Sequence, residues 1–247
     1  MAAVGENEIW NLIPPEEKLE LLAESQASGL YSCFMMIAVF FTLAIALKLK
    51  FLIWISLLAS PLMFQTAAHR KWRDMKPKIM LKYLAARSVA RRFAYAGNAQ
   101  GLDLEILFRG SVMDVTNESN IDVAEALQSI EFQNRNNVAW IGLLSDAIVA
   151  FSESRQGGVL EFVSIADKRI EVEGQNSDGS RDDYSNSREV FLTITKPFGG
   201  KSKFKISSEY PVALNAFEKK LKSRVDASKR AYELIMSEEA FAKVVEQ

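Results

Sequence analysis

Two residue types on which much site chemistry rests are nearly missing from this chain. Its 247 residues hold one cysteine, Cys33, and one histidine, His69. A lone cysteine excludes an internal disulfide framework and a thiolate zinc cluster. Cys33 also lies inside an apolar run with no basic neighbour in reach, which leaves it a poor nucleophile. His69 stands where an apolar run meets charged sequence, a place that marks an interface rather than a general base. The phosphate-cradling G-x-x-x-x-G-K-[ST] loop, a G-x-G-x-x-G turn after a strand and an H-E-x-x-H helix are all absent. Asp178, Asp182 and Asp183 share one polar loop, but without the glycine and terminal glutamate of an EF-hand, so a solvated acidic loop is expected. No internal repeat is visible. These absences point away from an enzyme, and no cofactor or metal is expected.

Charge is missing where it is most informative. Residues 28–47 (SGLYSCFMMIAVFFTLAIAL) and 51–68 (FLIWISLLASPLMFQTAA) carry none, and only Lys48-Leu49-Lys50 separates them. A membrane-crossing helix needs roughly 17–25 mostly apolar residues, since the hydrocarbon core is about 30 Å thick. Both runs meet that need. A secretory signal would start basic and hold one short apolar region, whereas here an acidic segment precedes two runs. A pair of buried soluble helices is rarely so apolar all round. The chain therefore reads as a transmembrane hairpin over 28–68, its helices antiparallel because the turn is short, with both termini on one side. Pro61 is tolerable beside Ser60, which can satisfy the freed carbonyl. Ala38, Ala44 and Ala46 in the first run, with Ser56, Ala59 and Ser60 in the second, would let helices approach closely.

The net charge of −1 hides a segregation. Residues 1–27 are acidic, with Glu6, Glu8, Glu16, Glu17, Glu20 and Glu24 against Lys18. Pro14-Pro15-Glu16-Glu17 is a helix start. Trp10 is either a membrane-surface anchor or, as favoured here, part of a short helix packed on the domain below. Residues 69–96 are basic: Arg70, Lys71, Arg73, Lys76, Lys78, Lys82, Arg87, Arg91 and Arg92 face Asp74 alone. That excess over Lys48 and Lys50 places the C-terminal flank in the cytoplasm. Trp72, Met75, Ile79, Tyr83, Ala86, Ala90 and Phe93 recur at steps of three and four, the stripe of an amphipathic helix, with Pro77 suggesting a break or a start near Asp74. The bases can lie along anionic lipid headgroups, each adding about 1 kcal/mol, and the segment can be a stalk whose stripe packs on a domain; the two readings can hold together, and neither requires a specific ligand. Nucleic acid is not expected as a partner.

From Gly97 the texture turns to β. Residues 102–115 alternate, 138–151 read as two strands around Ser145-Asp146, and 159–165, 168–172, 189–195 and 203–206 follow as strands. A short helix is expected over 121–130, a polar loop over 174–188 and a turn over 197–200. Ser208 is placed to cap a last helix whose apolar side is Tyr210, Leu214, Phe217, Leu221 and Val225. Residues 226–247 continue helically, with a restart suggested at Ser237.

The succession AWIGLLSDAIVAF, VLEFVSIADKRIEVEG, EVFLTIT, KFKIS and a closing amphipathic helix resembles the second half of a pleckstrin-homology (PH)-like domain. It is most similar to the GRAM and bacterial PH-like groups, with Ser145-Asp146-Ala147-Ile148 and the stretch from Ser164-Ile165-Ala166-Asp167 to Val172 at the corresponding places. Bacterial members are often tethered by a two-helix hairpin. The resemblance covers residues 97–225 as pattern, and the helix over 121–130 departs from it. It implies an α+β chain: a two-helix transmembrane hairpin, then a cytoplasmic PH-like sheet or barrel capped by a C-terminal helix. It also implies a non-enzymatic, inner-membrane module that binds a protein partner or lipid headgroup. Lys168, Arg169, Lys201 and Lys203 stand at strand ends as a candidate headgroup rim. The rival is a structural subunit of a larger membrane assembly or homo-oligomer held by its hairpin.

The topology is directly testable. Reporter fusions at Met1 and Gln247 should both read cytoplasmic. Activity of a periplasm-dependent reporter at either end would overturn the assignment.

Overall fold

The computed structural model describes residues 5–49, 51–99, 101–115, 139–152, 163–165, 169–176, 188–195 and 200–245. It divides into two units, Met1–Leu84 and Ala85–Gln247. The expected helix over 121–130 lies outside the described residues, as do all but Gly200 of the turn over 197–200 and most of the polar loop over 174–188.

The first unit is helical: α1 (Glu6–Leu12), α2 (Pro15–Leu47) and the greater part of α3 (Phe51–Ala96). Pro15 opens α2 with Glu16 and Glu17 in its first turn, where carboxylates meet the positive end of the helix dipole. The helix ends at Lys48, which takes the left-handed conformation (φ 55°) and donates its N–H to the carbonyls of Ala44 and Ile45. Leu49 N–H also reaches the Ala44 carbonyl, at 3.0 Å, so the last turn is closed without a glycine. Three residues later α3 begins.

Both helices outrun their apolar stretches. With 33 and 46 residues, they extend about 50 and 69 Å at 1.5 Å per residue. The acids of α2 and the bases of α3 are thus turns of the same helices that carry the apolar runs. Pro77 does not break α3, contrary to expectation, and neither does Pro61. A proline forfeits one hydrogen bond and costs about 3 kcal/mol, which the Ala-, Leu-, Met-, Lys- and Arg-rich sequence around Pro77 can absorb. Tertiary packing helps at the same turn: Trp10 of α1 meets Trp72 edge-on at 5.8 Å, and Lys76 Nζ lies 5.2 Å from the Trp10 ring. The segment around Trp10 therefore packs on α3 inside the helical unit.

The hairpin closes where side chains are smallest. A Cβ on Gly29 would lie 2.9 Å from both the ring and the carbonyl of Phe64, so this crossing admits only glycine. Ala44 and Ser56 are buried, and Ala59 and Ser60 half-buried, whereas Ala38 and Ala46 face outward. Large apolar side chains also face outward, among them Phe34, Ile45, Trp54, Leu58 and Leu62. Only 6% of each apolar window is buried. The two helices are long and apolar enough to cross a membrane.

The second unit contains the end of α3, seven strands and α4 (Pro211–Val245). The strands are β1 (Leu104–Asp114), β2 (Ala139–Leu144), β3 (Ala147–Ser152), β4 (Val163–Ser164), β5 (Arg169–Asn176), β6 (Arg188–Thr195) and β7 (Lys201–Ser207). They form one sheet of order β4-β3-β2-β1-β7-β6-β5, antiparallel throughout. Two meanders are therefore joined through β1 alone. Its first half pairs with β2 and its last residues, from Ser111, with β7. Gly110 sits at the changeover, where a Cβ would collide with the Ser207 carbonyl. The α+β expectation stands, with two apolar N-terminal helices, a seven-stranded antiparallel sheet and a C-terminal helix.

Inward residues at every second position build the core: Phe108, Ile141, Leu143, Ile148, Leu192 and Ile206 from the sheet, closed by Leu214, Phe217, Leu221 and Val225 of α4. Phe217 meets Phe108 edge-on, with ring centroids 5.6 Å apart. The strands β2 and β3 are buried on both faces from Ala139 to Leu144 and from Ala147 to Phe151, which explains their unbroken apolar sequence. On the outer face Phe93 of α3 stacks on Phe151 at 5.9 Å, and Ala86, Ala90 and Ala94 of α3 are buried.

Several boundaries differ from expectation. The described part of the 159–165 strand is only the two residues of β4, while β5 runs past Gly174 to Asn176. Ser208 is not the cap residue of α4. Its hydroxyl donates to the Arg109 carbonyl and accepts from Tyr210 N–H, tying the entry of α4 to β1 two residues earlier. No restart occurs at Ser237, since α4 is continuous to Val245.

Phe217→Ala should leave a cavity between α4 and β1 and cost about 3–5 kcal/mol. Lys220→Ala, half-exposed on the same helix, should cost no more than about 1 kcal/mol. Thermal melts of the intact protein decide it; equal, small effects would mean that α4 does not close the core.

Candidate functional site

The basic face of the helical unit is built by α3, but part of its charge is already spent. Lys76 pairs with Glu6 at 2.8 Å and Lys71 with Glu24 at 3.1 Å. Lys76, by hydrogen bond and by charge, holds the Glu6 carboxyl below its ordinary range. Deeper in the unit, Tyr83 donates its hydroxyl to the buried carboxylate of Glu17. The antiparallel fold thus lays the acidic start of the chain along the first turns of the basic segment. Arg70, Arg73 and Lys78 remain exposed, and Lys82 is half-buried.

The bases beyond Leu84 have a different fate. Arg87 is buried, and Arg91 donates Nε to the Leu102 carbonyl at 3.1 Å while its guanidinium stands 3.9 Å from Asp103. Only Arg92 of these three is exposed. Arg87 and Arg91 are therefore parts of the α3 packing in the second unit, rather than surface groups. Helical periodicity had marked the buried stripe but gave no sign that long cationic side chains would flank it inside.

The candidate rim gathers at one end of β5, β6 and β7. Arg169, Thr195 and Lys201 occupy one register row, and Glu171, Thr193 and Lys203 the next. Lys201 is exposed, and Lys203 extends its ammonium over the Phe191 ring at 4.8 Å. Lys205, in the row after that, pairs diagonally with Glu189 at 2.7 Å. Lys168 lies outside the described residues. Alternation in the strand sequences places the lysines on one face, but the row shared by Arg169 and Lys201 is a property of strand register.

A charged cluster that the sequence did not signal locks α4 to β1. Glu105 accepts from Lys220 at 3.2 Å and from Arg224, and Arg224 also donates to the Leu144 carbonyl. Nearby, the Ser145-Asp146 turn is pinned twice. Asp146 Oδ1 accepts from Gly101 N–H at 3.3 Å, and its carbonyl from Ile165 N–H at 2.7 Å. Partial burial alone would raise the Glu105 carboxyl, but Lys220 and Arg224 outweigh it and hold the group below its ordinary value of 4.5.

No protein-family model and no curated protein matches the chain. Among solved structures, the chain is similar to the crystal structure of the complex of PDZ-RhoGEF DH/PH domains with GTP-gamma-S-activated RhoA, at 10% identity and a TM-score of 0.32. The match covers 73% of this chain and 56% of that one, so the chain spans little more than half of the matched chain.

A carboxylate whose pKa is lowered by folding contributes stability that is complete above its unfolded value and disappears as pH falls through the folded one. Glu105 should therefore leave the melting temperature unaffected near neutrality and lower it as pH drops below about 4.5. Glu105→Gln should cost at most about 1 kcal/mol at pH 7 and flatten the acid limb. An acid limb identical in the wild type and the variant would rule out Glu105 as a contributor.

Proposed function

We propose that the chain is a membrane-anchored, non-enzymatic module: a two-helix anchor carrying a cytoplasmic PH-like domain that binds a protein partner or a lipid headgroup. The observation that carries this reading is the outward-facing apolar surface of the hairpin. Phe34, Ile45, Trp54, Leu58 and Leu62 project from a pair of helices that bury almost none of their apolar runs. Apolar surface on that scale needs an apolar surrounding. The PH-like part of the reading is supported by the sheet itself. Two antiparallel meanders share β1, and a C-terminal helix places Leu214, Phe217 and Leu221 in the core while Lys219, Lys220 and Lys222 stay in water.

A bacterial inner membrane with both termini in the cytoplasm is the location that the charge pattern favours. Anionic lipid attracts the exposed Arg70, Arg73, Lys78 and Arg92, with less help from Lys71 and Lys76 because Glu24 and Glu6 neutralise them. The alternative, a structural subunit of a larger assembly or homo-oligomer, rests on the same exposed helices, which another transmembrane helix could cover.

Alkaline carbonate extraction should leave the full-length protein in the membrane pellet, and its release would sink the anchor. After purification in mild detergent, a chain that runs alone and binds anionic vesicles supports the module. Double replacement Arg169→Gln/Lys201→Gln should then weaken binding, as should added salt. A fixed set of co-purifying subunits, with no vesicle binding, supports the assembly instead.

A further inference from the structure

We infer that the helical unit holds a site for a single amine-bearing glycerophospholipid, in a cleft between α2 and α3 where the apolar runs end. The inference rests on the membrane-anchor reading above. The cleft has a volume of about 440 Å³, and its lining changes chemistry in the order of a phospholipid read from tail to head. On α3, Met63 comes first, then Thr66 and Ala67, then Arg70 and Lys71, and finally Asp74. Antiparallel to it, α2 offers Ser32 and then Ser28, with Glu24 one turn further on. Apolar, hydroxyl, cationic and anionic groups thus succeed one another from Met63 to Asp74, a rise of about 16 Å.

The polar groups divide into those already engaged and those still available. Thr66 donates its hydroxyl to the Leu62 and Met63 carbonyls, and Ser25 and Ser56 likewise bond within their own helices. Ser28 and Ser32 have no such partner among the described residues, although both are half-buried in the cleft. Lys71 is neutralised by Glu24, which leaves Arg70 as the available cation. Its guanidinium and the two serine hydroxyls are donors suited to a phosphodiester oxygen at headgroup depth.

Asp74 decides between headgroups. It lies one turn beyond Arg70, about 6 Å further along the helix, exposed and without a partner among the described residues. A carboxylate there repels a second anionic group and attracts a protonated amine. A phosphodiester followed two carbons later by an ammonium, as in phosphatidylethanolamine, satisfies both ends. Phosphatidylglycerol offers the phosphate alone. The tail-side position of Met63 and the apolar run above it favour an anchored lipid over a free phosphodiester.

Native mass spectrometry of the full-length protein in detergent, with phosphatidylethanolamine and phosphatidylglycerol added at equal concentration, tests this. The ethanolamine lipid should be retained as one tightly bound molecule, about tenfold more than the glycerol lipid, the difference of one charge-assisted hydrogen bond. Asp74→Asn should abolish that preference while phosphate binding persists. Arg70→Gln should lose both lipids, and Arg73→Gln, outside the cleft, should lose neither. Glycerophosphoethanolamine, which lacks acyl chains, should not displace the bound molecule. Equal retention of both lipids, equal behaviour of the Arg70 and Arg73 variants, or displacement by the soluble headgroup would each overturn the site. Because carbonate extraction tests the anchor separately, a protein that stays in the membrane but retains lipid without preference defeats this inference alone.

Discussion

The second unit depends on one packing event, the insertion of α4 between two half-sheets that share a single strand. The three strands on either side of β1 would otherwise be coupled only by the ladder that changes partner at Gly110. Phe217 against Phe108, with Leu214 and Leu221 on either side, gives both halves a common apolar partner. The polar contacts of α4 reinforce this seating. Glu105 holds Lys220 and Arg224, and Arg224 reaches the end of β2. Because the helix contributes a whole stripe and the ion pairs lie at its rim, burial supplies most of the stability and the charges fix where the helix sits.

In the helical unit, electrostatics works at the water-exposed ends and shape in the apolar middle. Between the apolar runs, Gly29 against Phe64 and the buried Ala44 and Ser56 set the approach of the helices, because small side chains let two backbones come close. Past the runs, Glu6 with Lys76, Glu24 with Lys71 and Glu17 with Tyr83 bring the acidic start of the chain onto the basic turns of α3. The segregation of charge along the chain is also the complementarity that closes the bundle. The same pairing takes Lys71 and Lys76 out of the free charges of α3 and leaves Arg70, Arg73, Asp74 and Lys78 without an ion pair among the described residues.

The amino-acid sequence by itself determined the class of this protein. The lengths of its uncharged runs, the three-residue turn between them, the unbroken apolar strands of residues 139–151, the alternation of residues 189–195 and the apolar stripe from Leu214 to Val225 are local signals. Each corresponds to a physical period, of a bilayer, a strand or a helix. Only tertiary structure decided which charged residues are surface groups. Arg87 and Arg91 read like their neighbours in the sequence, yet one is buried and the other bonds the chain around Leu102 and Asp103. It also decided that Pro77 continues a helix, because Trp10 and Glu6 arrive at that turn from a segment about seventy residues away. Strand register and helix crossing are set by contacts between distant residues. The row of Arg169 with Lys201, the Glu105 cluster and the cleft of Ser28, Ser32 and Arg70 arise only when the chain folds back on itself.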